Sequence, residues 1–446
     1  MNCLGMVVSK VAEYETMKNS GIDWIGAIPS TWKTYTLYQL VTQVKNKNSD
    51  LREDNLLSLS YGRIKRKDIN SNGGLLPESF NGYNIIEDGD IVLRLTDLQN
   101  DHTSLRVGLA TERGIITSAY TTLHPIRKET AKYLYYLLHS FDLKKGFYGM
   151  GSGVRQGLNY DEVKELRVVL PSDTEQVAIV TYLDEQCKKI DILIAEAKDS
   201  IEEYKEWRAS LIHRTITKGL NPNTEMRDSG IEWIGKTAAS NRIIALRYFI
   251  QEYKSGPFGS SLITDKLARD GNILVYTPEH IANQSTVSDK NLYLPNSRRE
   301  EMSQFFITPG DIIFPIVGSL GRAMLITNEM PEGIINQRLA KFRLDTSKID
   351  TNYFMWLFSK STFFQPFIDV NCRGSFIVNL TKTIVYAMPI VIPNSIDEQR
   401  TITKYLTNKC GAIDSLISEK QSLIDDLDSY KKSLIYETVT GKRKVV

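Results

Sequence analysis

The densest group of basic side chains in the first half of the chain is the stretch 61–67, Tyr-Gly-Arg-Ile-Lys-Arg-Lys. Its cations are Arg63, Lys65, Arg66 and Lys67. Lysine and arginine bind nucleic acid by displacing the counterions that surround its phosphates. The glycine and the polar residues predict a loop, so we expect these four side chains to contact phosphate. A solvated loop face is the alternative.

Two more polar groups precede the last strand predicted in each globular region. They are Arg155-Gln156 in the first region and Arg373, followed by Gly-Ser, in the second. In the major groove, arginine can pair with O6 and N7 of guanine, and glutamine with N6 and N7 of adenine. We therefore expect Arg155, Gln156 and Arg373 to contact bases, with an ordinary surface loop as the alternative.

The second region also carries a glycine-rich loop at 254–261, Lys-Ser-Gly-Pro-Phe-Gly-Ser-Ser. Amides and hydroxyls of such a loop can hold phosphate. The DNA-contact candidates here are Lys254, Ser260, Ser261, Arg322, Gln337 and Arg338. Sequence order does not decide which of them contact bases and which contact phosphates.

Catalytic motifs are not apparent in the sequence. Residues 230–237 fit the P-loop spacing, but the preceding segment is polar instead of strand-like, and the same motif at 20–26 has no lysine. The chain has no Pro-Pro pair, as adenine methyltransferases of the common kind carry, and no Pro-Asp of the kind nucleases use. The five histidines are scattered and the four cysteines form no C-x-x-C pair. We predict no catalytic residue, no metal site and no cofactor bound by this chain.

The composition is that of an ordinary globular protein. The 446 residues are 41% hydrophobic and 24% charged, with a formal net charge of +2, and they suffice for two or three domains. Contacts with nucleic acid must therefore come from local patches. No apolar run approaches the roughly 18 residues of a membrane span and no signal peptide is visible, which predicts a cytoplasmic protein without a membrane partner.

The elements that must position these residues are two long helices, predicted at 172–219 and 395–441. Each begins with Ser-x-x-Glu, a spacing that satisfies the first backbone N–H groups of a helix. An apolar stripe with 4,3 spacing follows in both copies, and seven of its ten positions carry the same residue. The seam positions include Leu183, Cys187, Ile190, Ile194, Ile201, Tyr204 and Leu211, and then Leu406, Cys410, Ile413, Ile417, Ile424, Leu427 and Leu434. A 3.5-residue period held this long is typical of a coiled coil. At a rise of about 1.5 Å per residue, each helix would be on the order of 60 Å long.

The chain is a tandem duplication. The motif at 18–26, Lys-Asn-Ser-Gly-Ile-Asp-Trp-Ile-Gly, recurs at 227–235 as Arg-Asp-Ser-Gly-Ile-Glu-Trp-Ile-Gly. Between motif and helix, each half carries matching strands (90–95 and 167–170, then 311–317 and 388–392) and a matching helix (130–140 and 350–360). The predicted segments are an extension at 1–17, a first recognition domain at 18–171, a spacer helix at 172–219, a linker at 220–240, a second recognition domain at 241–394 and a second spacer helix with its tail at 395–446.

Chain order then predicts the topology. If the two helices pair along their seams, the second must run back beside the first, with one mixed α/β domain at each end and a pseudo-two-fold axis across the middle. We therefore predict an α+β fold in which two mixed α/β domains are separated by an antiparallel pair of long helices. Equivalent groove faces of DNA recur about every 34 Å, so a rigid spacer with two heads suits a bipartite, gapped site.

This combination resembles the specificity subunit of type I restriction–modification systems. The resemblance rests on residues 20–29, on Gly256-Pro-Phe-Gly-Ser260, and on Leu170-Pro171 and Ile392-Pro393, each followed by Glu-Gln at the start of a long helix. It covers nearly the whole chain. One departure lies at 235–239, where Pro29 and Trp32 have no counterparts, so we expect this segment to make different contacts in the two halves.

The resemblance implies a non-catalytic subunit whose two domains each read one half of a split site in double-stranded DNA. It also implies docking of two modification subunits, which bind S-adenosylmethionine and methylate adenine, and recruitment of restriction subunits that use ATP and magnesium. Two other hypotheses stay open at this point. One is a coiled-coil adaptor that binds proteins through its end domains, and the other is an enzyme with an unrecognised site.

Overall fold

The computed structural model describes residues 13–68, 77, 79–98, 101, 103–150, 157–258, 262, 267–318, 320–372 and 379–445. The chain divides into two compact units. The first comprises Met1–Lys198 with Gln421–Val446, and the second comprises Asp199–Lys420. The division crosses both long helices, so the segment boundaries proposed from the sequence stay predictions.

The first half of the chain contains twelve strands and three α-helices among its described residues. The elements are β1 Met17–Asn19, β2 Ala27–Pro29, β3 Lys33–Thr36, β4 Val41–Gln43, β5 Leu57–Ser60, β6 Arg63–Arg66, β7 Asn84–Ile86, β8 Ile91–Leu93, β9 Val107–Leu109, β10 Gly114–Ile116, β11 Thr121–Pro125, α1 Ala131–Leu143, α2 Tyr160–Val163, β12 Arg167–Leu170 and α3 Asp173–Lys218.

The second half follows a similar order with two strands fewer and with additional short helices among its described residues. Its elements are β13 Met226–Asp228, β14 Lys236–Ala238, β15 Arg242–Ala245, β16 Ile250–Ser255, β17 Leu274–Tyr276, α4 Pro278–Asn283, β18 Asp311–Pro315, β19 Met324–Leu325, β20 Gly333–Ile335, β21 Leu339–Leu344, α5 Thr351–Phe358, α6 Gln365–Cys372, α7 Lys382–Ala387, β22 Pro389–Ile392 and α8 Ile396–Val439.

Each unit is built on one four-stranded antiparallel sheet. The strand order is β4-β11-β8-β9 in the first unit and β16-β21-β18-β19 in the second. In each, the strand that leads into a long helix pairs with an early strand, β12 with β3 and β22 with β15. In both units the Gly-Ile-Ile strand has one antiparallel partner (β7 for β10, and Phe306 for Ile334) and one parallel partner (Leu56 for Ile115, and β17 for β20). These sheets and helices confirm the predicted α+β fold class with its internal repeat.

The shared Gly-Asp-Ile motif supplies the same buried carboxylate to both sheets. Asp90 and Asp311 are each 1% exposed. Asp90 accepts the N–H of Glu87 and lies 2.6 Å from Nδ1 of His124. Asp311 accepts the N–H of Thr308 at 3.0 Å and Nε of Arg343 at 3.0 Å. Because a buried carboxylate requires such partners, this motif fixes the start of β8 and of β18.

Both long helices begin at the predicted caps. The Ser172 hydroxyl accepts the N–H of Glu175 at 3.4 Å, and the Glu175 carboxylate accepts the N–H of Ser172 at 3.3 Å. The Ser395 hydroxyl accepts the N–H of Glu398 at 3.1 Å. α3 has 46 residues and α8 has 44, in close agreement with the ranges predicted from the apolar stripe.

Within each unit, α3 and α8 run antiparallel. In the first unit, Tyr182 bonds to Arg443 just beyond α8, while Asp191 further along α3 meets Lys431 further back in α8. In the second unit, Nε of Arg208 lies 2.9 Å from Oδ1 of Asp414. There Glu398, at the start of α8, lies beside Gly219 at the end of α3.

Most of the predicted seam is buried. The buried members are Leu183, Cys187, Ile190, Ile194, Ile201 and Leu211 on α3, and Leu406, Cys410, Ile413, Ile424 and Leu434 on α8. Tyr204, Ile417 and Leu427 are half-buried. The hydrophobic effect at these positions favours the paired helices.

The apolar stripe is interrupted at equivalent places by Arg208 on α3 and Lys431 on α8. Nζ of Lys431 lies 2.6 Å from Oδ1 of Asp191, and Arg208 pairs with Asp414, the residue that matches Asp191 in the repeat. A polar residue within a coiled-coil seam specifies register, because a shifted helix would leave it without its partner. The two ion pairs therefore define one register in each unit.

Each repeated motif packs against the end of a long helix. In the first unit, Nζ of Lys442 donates to the carbonyls of Ile25 and Ala27 at 2.7 and 2.6 Å, and the Tyr436 hydroxyl donates to Trp24 O at 3.1 Å. In the second unit, Nε2 of His213 lies 3.4 Å from Trp233 O. The motif is thus a packing segment that closes a helix end.

The contacts differ between the halves where the sequence departs from the repeat. Trp32 is fully buried and donates to Glu175 at 3.2 Å. Asn241 occupies the equivalent turn, is 4% exposed, and donates to the carbonyl of Thr217 at 3.0 Å and to the hydroxyl of Thr237 at 3.2 Å. The second half therefore replaces a large apolar ring by an amide that satisfies a carbonyl at the end of α3.

The register pair in the first unit can be tested by reversing one charge. Lys431→Glu would place a carboxylate beside Asp191, so we expect the free energy of unfolding to fall by about 1–2 kcal/mol. Lys431→Arg should stay close to the wild type because the positive charge is kept. Urea unfolding of the full chain, followed by circular dichroism, measures both.

Lys432→Glu is the matched control, since it makes the same charge change at the next, exposed position of α8. We expect it to change the unfolding free energy by less than about 0.5 kcal/mol. Equal effects of the two glutamate variants would contradict a register role for Lys431.

Candidate nucleic-acid interface

Three polar segments of the second unit meet at one edge of its four-stranded sheet. Ser255, the last residue of β16, pairs with Ala340 in β21, and Pro315, the last residue of β18, pairs with Leu339. The segments 256–258, 316–318 and 336–338 therefore leave the sheet side by side. We call these three segments the second polar edge.

A glycine permits the closest approach within the second polar edge. A Cβ atom on Gly256 would lie 1.9 Å from the carbonyl oxygen of Asn336, a separation that no side chain tolerates. The Gly256 N–H donates to Leu339 O at 2.8 Å. The glycine-rich loop is consequently packed directly on the segment that contains Gln337 and Arg338.

Gln337 and Arg338 lie on a tight turn that holds both side chains exposed. The Asn336 side chain accepts the N–H of Arg338 at 3.0 Å, and its carbonyl accepts the N–H of Leu339 at 3.1 Å. The Ile316 N–H donates to Arg338 O at 2.9 Å. Two of the predicted DNA-contact residues are thus presented together from a turn that is fixed on both sides.

The predicted residues Ser260, Ser261 and Arg373 lie outside the described residues. The chain resumes at Asn379, which pairs with Val317, and the Leu380 N–H donates to Ile316 O at 2.8 Å. The described chain therefore resumes at the second polar edge.

The first unit has an equivalent edge beyond β4 and β8 and before β11. The Val44 N–H donates to Thr122 O at 2.9 Å, and the Leu158 N–H donates to Leu95 O at 2.9 Å. We call the segments 44–47, 94–98, 117–120 and 157–158 the first polar edge. Arg155 and Gln156 lie outside the described residues, and the described chain resumes at this edge with Gly157 and Leu158.

Sequence reasoning missed the turn that matches Asn336–Arg338 in the first unit. The Thr117 hydroxyl accepts the N–H of Ala119 at 3.3 Å, and the Thr117 carbonyl accepts the N–H of Tyr120 at 3.1 Å. This turn presents the exposed residues Ser118 and Ala119. The signal was present, because both turns directly follow the repeated Gly-Ile-Ile strand, β10 or β20.

The prediction of a loop at 61–67 was wrong. Residues 63–66 form β6, which pairs with β5. Tyr61 and Gly62 have φ values of 47° and 75°, the left-handed pair that joins two strands in a type I′ hairpin. The basic stretch is therefore one strand of a hairpin.

The four cations of the basic stretch are not equivalent. Arg66 donates from both Nε and Nη2 to the Glu112 carboxylate, and Nη2 of Arg63 lies 3.4 Å from Oδ2 of Asp191 on α3. Lys65 and Lys67 are exposed and have no ion-pair partner within the described part of the chain. Lys65 and Lys67 are thus the better placed of the four for phosphate.

The other two candidates of the second unit make protein contacts. Nζ of Lys254 donates to the Gln304 side chain and lies 5.4 Å from the ring centre of Phe305. Arg322, in the loop between β18 and β19, donates to Ala282 O at 3.2 Å. Lys254 is half-buried and Arg322 is exposed.

Neither a metal site nor a P-loop is found in the described residues. No group of three or more His, Cys, Asp or Glu side chains there could hold a metal ion. The segment 230–237 leads into β14, which pairs with β13, whereas a P-loop joins a strand to a helix. Within the same residues, no helix combines the length and the apolar character needed to cross a bilayer.

A family model for the type I restriction modification DNA specificity domain matches residues 29–203 and 257–423. The chain belongs to this family. The two matches place one specificity domain in each half of the chain and confirm the resemblance seen in the sequence.

Similar proteins extend over nearly the whole chain. The specificity subunit of the type I restriction enzyme MjaVIII from Methanocaldococcus jannaschii is 20% identical over 426 residues, 94% of each sequence. A chain solved in a study of complex assembly and conformational transition of the type I R-M system has a TM-score of 0.69 at 13% identity, over 92% of this chain and 98% of that one. The HsdS subunit of Thermoanaerobacter tengcongensis has a TM-score of 0.50 at 13% identity, over 93% and 98%. Both structural likenesses concern the fold.

A buried arginine organises the first polar edge of the specificity domain. Arg106 is fully buried. Its guanidinium donates to the Tyr148 hydroxyl and to four backbone carbonyls, those of Arg94, Thr96, Asp97 and Asp101. Because a buried guanidinium is costly unless its donors are satisfied, this network holds the segment after β8 in one conformation.

Asp142 contacts the backbone of Arg106, and the pKa of its carboxyl group is raised. Its Oδ2 accepts the Arg106 N–H at 2.6 Å, whereas its Oδ1 is buried without a hydrogen-bond partner. Burial raises the pKa of Asp142 to about 6, because a charged carboxylate is poorly solvated there. In the second specificity domain the N–H of Ala323, the residue before β19, donates to the Ser359 hydroxyl at 2.9 Å.

The raised pKa predicts a pH dependence of stability that Asp142→Asn should remove. Between about pH 4 and pH 6 the unfolded chain loses the Asp142 proton while the folded chain keeps it, so stability falls as pH rises. Relative to the wild type, the asparagine variant should gain up to about 3 kcal/mol across this window and nothing further above it. Urea unfolding of both proteins at pH 4.5, 5.5 and 7 measures the difference, and parallel curves would contradict the prediction.

Proposed function

We propose that this chain is the sequence-reading subunit of a type I restriction–modification complex, in which each polar edge reads one half of a bipartite DNA site. The observation that carries the proposal is the pair of equivalent turns at the two polar edges. One scaffold presents Ser118-Ala119 in the first domain and Gln337-Arg338 in the second. A conserved frame with different exposed residues suits two readers of different base sequences.

The side chains of the second turn favour recognition in the major groove. Arginine pairs with guanine and glutamine with adenine through two hydrogen bonds each. The shorter Ser118 side chain can make fewer contacts, so the first domain would depend more on Arg155 and Gln156. Lys65 and Lys67 would then contact phosphates.

The long helices would set the number of base pairs between the half-sites and would dock two modification subunits. In this proposal the chain itself is not catalytic and binds no cofactor. S-adenosylmethionine would be bound by the modification subunits, and ATP and magnesium would be used by restriction subunits. Because its substrate would be cellular DNA, the chain would act in the cytoplasm.

The gap between the half-sites gives the decisive test. A map of methylated adenines in host DNA would reveal the site, and duplexes would then carry the two half-sites with the natural gap or with about five extra base pairs, half a helical turn. We expect the altered gap to lower the affinity of the assembled complex to that for unrelated DNA. An affinity that does not depend on the gap would contradict the proposal and favour an adaptor that binds proteins.

Individual residues of the second turn should affect one half-site only. Loss of a two-pronged arginine–guanine contact costs about 1–3 kcal/mol, so Arg338→Ala should weaken binding of the natural site by about 5- to 150-fold. It should also remove discrimination at one or two base pairs of one half-site. Fluorescence anisotropy with a set of singly substituted duplexes measures this.

Arg242→Ala is the matched control, because it removes an exposed arginine of the same unit that lies on β15, outside the second polar edge. It should leave base discrimination unchanged. Changes in both half-sites on Arg338→Ala would contradict the assignment of one edge to one half-site.

A further inference from the structure

The two halves of the chain carry different residues at the C-terminal ends of α3 and α8. In the first unit, Nη2 of Arg443 lies 2.9 Å from Oε2 of Glu437, and Arg443 also bonds to Tyr182. The anion and the cation come from the same chain segment. The Glu437 carboxylate is therefore paired within its own chain segment.

The matching positions of the second unit carry different charges. The shared stripe aligns Leu211 with Leu434 and Thr215 with Thr438. Arg214 then takes the place of Glu437, and Tyr405 that of Tyr182. The left-handed glycines that follow the two helices, Gly219 and Gly441, align Asn221 with Arg443. The internal ion pair is lost, and two cations, Arg214 and Lys218, replace it.

A pocket of about 280 Å³ lies at these positions in the second unit. It is lined by Arg214, Thr215, Lys218, Tyr405 and the turn Gly219–Pro222. Within the described residues, the side chains of Arg214 and Lys218 have no ion-pair partner. The Glu398 carboxylate lies 3.7 Å from the position of a Cβ on Gly219. The residues that line the pocket include two cations and no acidic side chain.

Backbone N–H groups add hydrogen-bond donors to the same pocket. Among the described residues, the N–H groups of Leu220 and Asn221 donate to no protein acceptor, and both residues line the pocket. The Tyr405 hydroxyl is a further donor. Arginine binds phosphate through two parallel hydrogen bonds, and free amides beside it complete an oxyanion site.

We propose that this pocket binds one phosphate group. The first unit fills the equivalent place with its own Arg443–Glu437 pair, so the chain would bind one phosphate instead of two. The site is separate from both polar edges, and the proposal does not depend on the reading of half-sites. The phosphate could be the free ion or belong to a DNA backbone.

The test introduces into the second unit the ion pair that the first unit carries. In the double variant Arg214→Glu with Asn221→Arg, the second unit would carry the same pair as the first. Inorganic phosphate is titrated into the full chain by isothermal titration calorimetry, with chloride adjusted to keep the ionic strength constant. We expect one saturable site in the wild type and at least about tenfold weaker binding in the double variant.

Two single variants guard against a folding artefact. Arg214→Lys keeps the charge and should retain part of the affinity, whereas Lys432→Gln removes a cation from α8 outside the pocket and should leave phosphate binding unchanged. Equal weakening by Lys432→Gln would show a nonspecific charge effect and overturn the proposal.

Binding to random-sequence duplexes separates the two sources of phosphate. If the group belongs to DNA, the double variant should bind all duplexes more weakly and lower the slope of log K against log salt by about one. If the free ion is the ligand, duplex affinity should be unchanged while the calorimetric difference persists. A wild type without saturable phosphate binding, together with unchanged duplex affinity, would overturn the proposal.

Discussion

The antiparallel contact between α3 and α8 is the constraint on which the rest of each unit depends. Its apolar stripe supplies most of the driving force, because the buried leucines and isoleucines are removed from water. An apolar stripe alone would allow the helices to slip by a heptad. The pairs Asp191–Lys431 and Arg208–Asp414 restrict that slip, since a shifted helix would leave a half-buried charge without its partner.

The duplication separates what the fold requires from what recognition requires. The buried carboxylates Asp90 and Asp311, the capped helix starts and the strand order recur in both halves. The exposed turns after β10 and β20 do not, since one presents Ser118 and the other Gln337 and Arg338. Substitutions in an exposed turn cost little stability, so these positions can change without disturbing the sheet that carries them.

The sequence was most informative where a regular period or a cap defined the element. The ends of α3 and α8 follow from the Ser-x-x-Glu caps and the 4,3 stripe, and β12 follows from Arg167–Leu170. The basic hairpin was missed because glycine and charge were read as loop signals, although Tyr61-Gly62 also suits a type I′ turn. Pairing of Arg66 with Glu112 and of Arg63 with Asp191 depends on contacts between residues far apart in sequence, which local patterns do not show.

The polar edges could not be predicted for a similar reason. They form because β21 lies between β16 and β18 in the sheet, and that order does not follow the chain. Only this arrangement brings Gly256 against Asn336 and returns the chain at Leu380 to Ile316. Gln337, Arg338 and the loop after Lys254 were each predicted from their chemistry alone. The strand order places them on one surface. The glycine at 256 then has a physical reason, because any side chain there would push the loop away from the turn that presents Arg338.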